Sequence, residues 1–508
     1  MKFEKFIRGY LFTSEYDKAL NSCHLLDDWV QKRIGKFTLF IHPESEFYIY
    51  TYDNNTWLLV GNVIDPINEI SDEKDILTAL ANDFRDDENL LFERLDCLTG
   101  RFVLISVNTS SGKGRIFHDA VGLKNVFYTE TKNEVWCSSH SQLLADIQNY
   151  QIDPEIESLT NSYFYKIGVR HLPGLRTPYK EIRMLPANHC MYLPGNVLER
   201  YFPREAHEES DDLEKTAVVI GEVMQKSIDL LRSKKSVAVS LTFGTDSRVT
   251  FAASKNAGSA IHYFSYISNE EEKTDAFRAS QMCRDLGVTH HIYDIPMDEI
   301  TREDYFTEFC NYFDHNSAYI RKPKREELAK IYYLKKVFPD GFLEVKSHVS
   351  EIGRAFYCKK MGRNQMPKKL RPRHMSNLYK RNLTNRSILK FMDKTFGDFI
   401  ETTNFGKNFY NYEEADMFYW EHRMPAWGSL ANQDHDIIHD MTSLFNNRKI
   451  LKLFLTPSMK FRRNDDLYKS VVAYLWPEAA AYPLGKPDKL KNKIKRTGEY
   501  LFFTLNRY

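Results

Sequence analysis

Thirteen residues, Ser236 to Arg248, limit the possible architectures more than any other stretch. Val237, Ala238 and Val239 read as a short buried strand, and Val249 to Lys255 as the first turns of a helix. Only a hydroxyl-rich turn separates them, with Thr242, Gly244, Thr245, Asp246 and Ser247. A strand that passes through such a turn into a helix directs free amides and the positive end of the helix dipole at one point, which suits an anion. A carboxylate there can hold a magnesium ion beside phosphates.

The flanking pattern repeats. Ile261 to Tyr266 is a second strand, Thr274 to Gly287 an amphipathic helix ending in glycine, and His290 to Tyr293 a third strand. Strands alternating with helices predict a doubly wound parallel sheet whose ligands lie at the strand C-termini. Helical spacing from Lys215 to Arg232 precedes this unit, after an acidic bridge at 204–214.

Before the bridge the pattern changes. Phe37–Ile41, Phe47–Tyr50, Trp57–Val60 and Phe102–Ile105 are strand-like runs, interrupted by a helical stretch from Glu73 to Phe92. The expected fold class is therefore α/β and α+β in two domains. Residues 1–205 form a layered β-sandwich-like domain, and residues 206–508 a doubly wound parallel sheet with a helical C-terminal part. A length of 508 residues requires more than one core, and 42% hydrophobic content supplies them.

The motifs carry a resemblance. Gly100-Arg101-Phe102, the turn from Asp119 to Gly122 before Phe127-Tyr128, and the serine-rich turn Ser138–Ser141 resemble the glutaminase domain of class II glutamine amidotransferases. Thr242 to Arg248, the helix carrying Asp275, Ala279, Leu286 and Gly287, and the segment His348 to Tyr357 resemble the synthetase domain of the asparagine synthetase-like N-type ATP pyrophosphatases. This family includes β-lactam synthetases and lasso-peptide cyclases.

The resemblance implies a ligase that forms carbon–nitrogen bonds. It would adenylate a small-molecule or peptide carboxylate with ATP and Mg2+, release pyrophosphate and pass the acyl group to an amine or ammonia. It implies Asp246, Glu351 and Lys486 as catalytic residues, Asp246 and Glu351 also holding magnesium. Thr242, Gly244, Thr245, Ser247, Arg248 and Tyr266 would bind the nucleotide. The family's nucleophile is a cysteine at the mature N-terminus; here position 2 is Lys2 and the first cysteine is Cys23, so the glutaminase activity is expected to be lost. Phe243 stands at a loop glycine of the family, and the alternative is a nucleotide-binding relic of the fold.

Simpler readings stand beside these. Asp275 can cap its helix, Glu351 and Arg354 can form a solvated ion pair, and His290 and His291 read as strand residues. Lys359 to Lys390 holds eleven lysines and arginines and no acid, a solvated insertion or a landing strip for an anionic carrier or polyanion. A net charge of +1 gives no general attraction to nucleic acid. Seven scattered cysteines and the lack of a long apolar run imply a cytoplasmic protein without membrane contact.

Overall fold

The computed structural model describes residues 3–22, 24–131, 134–166, 170–379, 385–483 and 498. Two six-stranded antiparallel sheets are built from strands between Tyr10 and Arg200. One runs Ile182–Met184, Phe127–Thr129, Trp136–Ser138, Tyr10–Thr13, Phe37–Ile41 and Val30–Ile34. The other runs Val197–Arg200, His189–Leu193, Gly114–His118, Thr99–Asn108, Asn55–Ile64 and Phe47–Tyr52.

Strand alternation sorts their side chains into two layers. Tyr10, Phe12 and Leu39 of the first sheet pack with Leu58, Val60, Val103 and Ile105 of the second. The intervening residues Trp57, Leu59 and Leu104 face the other way, toward Ile76, Leu80, Leu91 and Leu95 of two helices. Those helices, Glu73–Asp86 and Glu88–Cys97, replace the single helix expected over Glu73 to Phe92. Asp87 is extended at φ −161°, ends the first helix and caps the second by accepting from the Asn89 amide.

Two motifs of this half have structural explanations. A Cβ at Gly100 would lie 2.2 Å from the Asn62 carbonyl oxygen, so only glycine fits between these strands. Asp119 is fully buried and accepts from the amides of Phe102, Val121, Leu123 and Lys124 and from Asn446 Nδ2. Gly122, at φ +71°, closes that turn.

The third sheet is parallel throughout, ordered His290–Asp294, Ile261–Ile267, Ser236–Ser240, Phe342–Val345, Asp440–Thr442. Counted along the chain, the first strand lies in the middle, and the order reverses between Ser236–Ser240 and Phe342–Val345. Crevices that take ligands open beyond the C-terminal ends of strands at such a point. Helices Leu213–Lys234, Thr245–Ala253 and Asp466–Leu475 gather in the large core, with Ile220, Met224, Val249, Phe251, Val471 and Leu475 all buried. Helices Arg386–Thr403, Arg448–Leu455 and Asp466–Leu475 make up much of the helical C-terminal part.

The expected cap of the second helix is corrected. That helix runs Glu270–Asp285, and Asn269 caps it by accepting from the Glu271 and Glu272 amides; Asp275 lies in the helix interior. Among the described residues no helix is long and apolar enough to cross a membrane.

Candidate active site

The turn after Ser236–Ser240 is held by its own hydroxyls. Ser247 Oγ donates to the Thr242 carbonyl at 2.8 Å, contacts Thr242 Oγ1 at 2.9 Å and accepts from the Thr242 amide at 3.3 Å. The Gly244 amide donates to Thr242 Oγ1 at 3.3 Å. Thr242 and Ser247 therefore shape the turn. Helix Thr245–Ala253 leaves its first-turn amides without intrahelical acceptors. Among the described residues a Cβ built on Gly244 would meet only Thr242 Oγ1 within 4 Å, and none of them closes the approach to those amides.

Phe243 does not obstruct this approach by its backbone, which stays outside the left-handed region. Its ring is 5% exposed, with the Arg248 guanidinium 4.9 Å and the Arg278 guanidinium 5.4 Å from its centre. The ring is tucked against cations instead of standing over the turn.

Arg248 points into the core. It is 1% exposed and its Nη1 donates to the carbonyls of Ala479 at 2.8 Å and Tyr482 at 3.2 Å. It ties the helix to the C-terminal part. Tyr266 does not join the turn either: its ring lies under Lys330 Nζ at 4.2 Å and packs with the cluster around Phe264 and Phe338. The neighbouring Ser265 makes the contact, donating to the Leu241 carbonyl at 2.7 Å. His290 and His291 lie in a strand, as expected. Lys486 lies outside the described residues.

Asp246 meets the segment that follows Phe342–Val345. There a five-residue turn, Ser350–Arg354, is bracketed by two left-handed residues, Val349 at φ 85° and Ala355 at φ 49°. A β-branched residue at positive φ is a rare conformation that the surroundings must enforce. They do so with Tyr468, whose hydroxyl donates to the Ser350 carbonyl at 2.6 Å, and Arg462, whose Nε donates to the Gly353 carbonyl at 3.1 Å.

This turn presents two groups to Asp246. Ser350 Oγ donates to Asp246 Oδ1 at 2.5 Å, and Arg354 Nη1 donates to both carboxylate oxygens at 2.6 Å. The other edge of the same guanidinium grips Asp465, with Nε at 2.9 Å and Nη2 at 2.8 Å, and Lys359 Nζ joins Asp465 as well. The expected Glu351–Arg354 pair is thus corrected. Among the described residues Arg354's carboxylate partners are the two aspartates.

Glu351 has one carboxylate oxygen buried without a partner among the described residues. Burial first, and the charge of Asp246 second, push its carboxyl up to about 7, with Arg354 and Arg423 opposing. Arg423 comes from a π-helix, Tyr419–Gly428, that contains Pro425. Its guanidinium lies over the rings of Trp427, Phe356 and Tyr419 at 4.8, 5.2 and 5.6 Å, and its buried Nε has no partner among the described residues. Sequence reasoning gave no role to Ser350, Asp465 or Arg423, because each reaches this site through the packing of distant segments.

The residues do not fit a magnesium ion at Asp246 and Glu351 as arranged. Both oxygens of Asp246 are engaged by Arg354, and no group of three or more His, Cys, Asp or Glu among the described residues is disposed around a metal. A cavity of about 790 Å³ lies at the opposite end of the parallel sheet, lined by Ser236, Phe342 and Asp440 at the starts of three strands. It is remote from this chemistry.

No protein-family model matches the chain, and no curated protein matches its sequence. Among solved structures, glutamine-dependent NAD+ synthetase from Acinetobacter baumannii in complex with ADP is 17% identical at a TM-score of 0.21. The match covers 36% of this chain and 34% of that one. The allosteric regulatory enzyme of purine biosynthesis is 9% identical, TM-score 0.25, with 57% and 74% covered. Glutamine phosphoribosylpyrophosphate amidotransferase from B. subtilis, with ADP and GMP, is 8% identical, TM-score 0.23, with 56% and 59% covered. The chain thus spans about a third of the NAD+ synthetase it matches. Likenesses this low assign no function.

Proposed function

We propose that the chain is an ATP-dependent synthetase that forms amide bonds, activating a substrate carboxylate by adenylation with loss of pyrophosphate and transferring the acyl group to an amine or ammonia. The observation that carries this reading is the meeting of the Thr242–Ser247 turn and the Ser350–Arg354 turn across the two strands where the sheet order reverses. The open first-turn amides of helix Thr245–Ala253 suit the phosphate oxygens. Glu351, whose carboxyl is raised to about 7, is in its ionised form basic enough to accept the proton released when an amine attacks the activated carboxyl. Asp246 orients Arg354 beside the phosphates.

In this reading residues 1–205 are a platform and residues 206–508 the synthetase. Loss of glutamine hydrolysis is supported by the burial of Cys97, Cys137 and Cys190, which keeps these thiols from a substrate. Six described cysteines are free thiols and support a reducing, cytoplasmic setting. The exposed Lys368, Lys369 and Arg371 of the basic stretch are available to an anionic carrier.

ATP–pyrophosphate exchange across a panel of carboxylates, including amino acids and short peptides, tests the reading. Exchange with at least one carboxylate is expected, and Glu351→Gln should lower amide formation more than exchange. Absence of exchange together with absence of calorimetric nucleotide binding overturns it. Nucleotide binding without exchange would instead favour a non-catalytic binding protein, a reading supported by the saturation of Asp246 by Arg354.

A further inference from the structure

Asp246 is the carboxylate best placed to hold a divalent cation beside phosphates bound at the helix N-terminus, yet a side-chain cation already occupies it. Arg354 Nη1 reaches both Asp246 oxygens at 2.6 Å, Ser350 Oγ reaches one at 2.5 Å, and the guanidinium's other edge is fixed on Asp465. This clamp is built in. The turn that carries Ser350 and Arg354 is forced into left-handed backbone at both ends and pinned through its carbonyls by Tyr468 and Arg462. Asp465, which completes it, is itself left-handed at φ 59° and draws in Lys359 as well.

Arg354 cannot swing away without leaving Asp246 unneutralised and Asp465 to Lys359 alone, and a divalent ion at Asp246 would have to sit against the positive charge of the guanidinium. The guanidinium is planar and always charged, and it offers its donors in a fixed fork, which makes it a serviceable partner for phosphoryl oxygens. We infer that Arg354, clamped between Asp246 and Asp465, takes the charge-neutralising place of a divalent ion at Asp246, and that the site receives a pyrophosphate-bearing anion without a protein-bound metal there. The ligand class rests on the function proposed above. The exclusion of metal from Asp246 stands apart from it.

Manganese(II) titrations of the full chain, read by the electron paramagnetic resonance of the free ion, test the exclusion. The wild-type chain should bind no ion that Asp246→Asn removes. Arg354→Met, of similar length but uncharged, should create a manganese site, and adding Asp246→Asn should abolish it. Circular dichroism melts confirm that each variant is folded, and Arg354→Lys, which keeps the charge, should stay metal-free if Arg354→Met proves unstable. Wild-type manganese binding that depends on Asp246 overturns the inference, as does a folded Arg354→Met chain that gains no site.

Calorimetry with inorganic pyrophosphate in chelator tests the ligand. Wild-type binding that falls at least tenfold in Arg354→Met is expected; binding that needs added magnesium overturns the inference. If neither pyrophosphate nor ATP binds while the manganese results hold, the proposed function fails and the metal-excluding clamp stands.

Discussion

Arg101 and Asp436 join the antiparallel and parallel sheets through a two-edged ion pair, Nη2 donating to Oδ2 at 2.8 Å and Nη1 to Oδ1, with both side chains about 97% buried or more. Arg101 is on the long strand Thr99–Asn108, and Asp436 lies four residues before the strand Asp440–Thr442. Nε of the same arginine donates to the Leu123 carbonyl at 3.2 Å, so the guanidinium is held from three sides. Arg101→Met leaves Asp436 without its paired cation, and Asp436→Asn leaves Arg101 to the more distant Asp440 at 3.6 Å. Arg101→Met and Asp436→Asn should each cost about 3–5 kcal/mol, and the double variant clearly less than the sum. Urea denaturation of the four proteins measures the coupling, and simple additivity would contradict it.

Glu351 should make the protein's stability depend on pH in a window set by its own carboxyl. Its folded-state value is about 7, above the roughly 4.3 of an unfolded glutamate, so the folded chain holds this proton more tightly. Its stabilising contribution is complete below pH ~4.3 and lost as pH rises through 7. Glu351→Gln should match the wild type near pH 4 and exceed it by about 2–4 kcal/mol at pH 8. A stability gap that stays flat across this range would refute the assignment.

Asp440 should act in the opposite sense. Burial alone would raise its carboxyl, but Arg101, Lys124 and Arg8 hold it down to about 2. Its contribution is present above the usual aspartate value and lost as pH falls toward 2. Asp440→Asn should therefore be less stable than the wild type at neutral pH, with the difference closing under acid. Chemical melts at several pH values read it directly.

Phe243 is expected to be a stabilising residue. With its ring 5% exposed between two guanidinium groups, Phe243→Ala should cost about 2–4 kcal/mol and leave pyrophosphate affinity unimproved. A tighter complex in that variant would show that the ring does obstruct the turn.

Two glycines should respond oppositely to a methyl group. At Gly100 a Cβ would lie 2.2 Å from the Asn62 carbonyl oxygen and 2.8 Å from Val63 Cα, so Gly100→Ala must move backbone and should cost about 2 kcal/mol or more. At Gly397, inside helix Arg386–Thr403, a Cβ would meet among the described residues only Pro372 Cγ at 3.9 Å. Gly397→Ala should add about 0.5–1 kcal/mol, because alanine orders the unfolded chain less expensively than glycine. Thermal melts of the two variants compare them.

Much of the architecture was legible one segment at a time. The strands around Leu39, Leu58 and Val103, the parallel strands around Ala238 and Phe264, and the turn at Asp246 all follow from local apolar period and turn chemistry, which need no distant partner. Helix boundaries were less legible: Asp87 divides one expected helix into two, and the cap at Asn269 starts another at Glu270, four residues before Thr274, since caps depend on single side chains.

The candidate site divides along the same line. That Thr242 to Ser247 leads from a strand into a helix N-terminus was determined by these residues alone. The partner of Asp246 was not, because Arg354 and Asp465 lie 108 and 219 positions further along, and no local rule relates residues so far apart. Packing also set side chains in ways their chain neighbours do not announce: Arg248 turns inward to the Ala479 carbonyl, Tyr266 lies under Lys330, and Phe243 packs onto two guanidinium groups. The sequence by itself determined which backbone groups could receive an anion, and only the tertiary structure decided which charges face them, because charge pairing is a matter of spatial proximity that chain order does not encode.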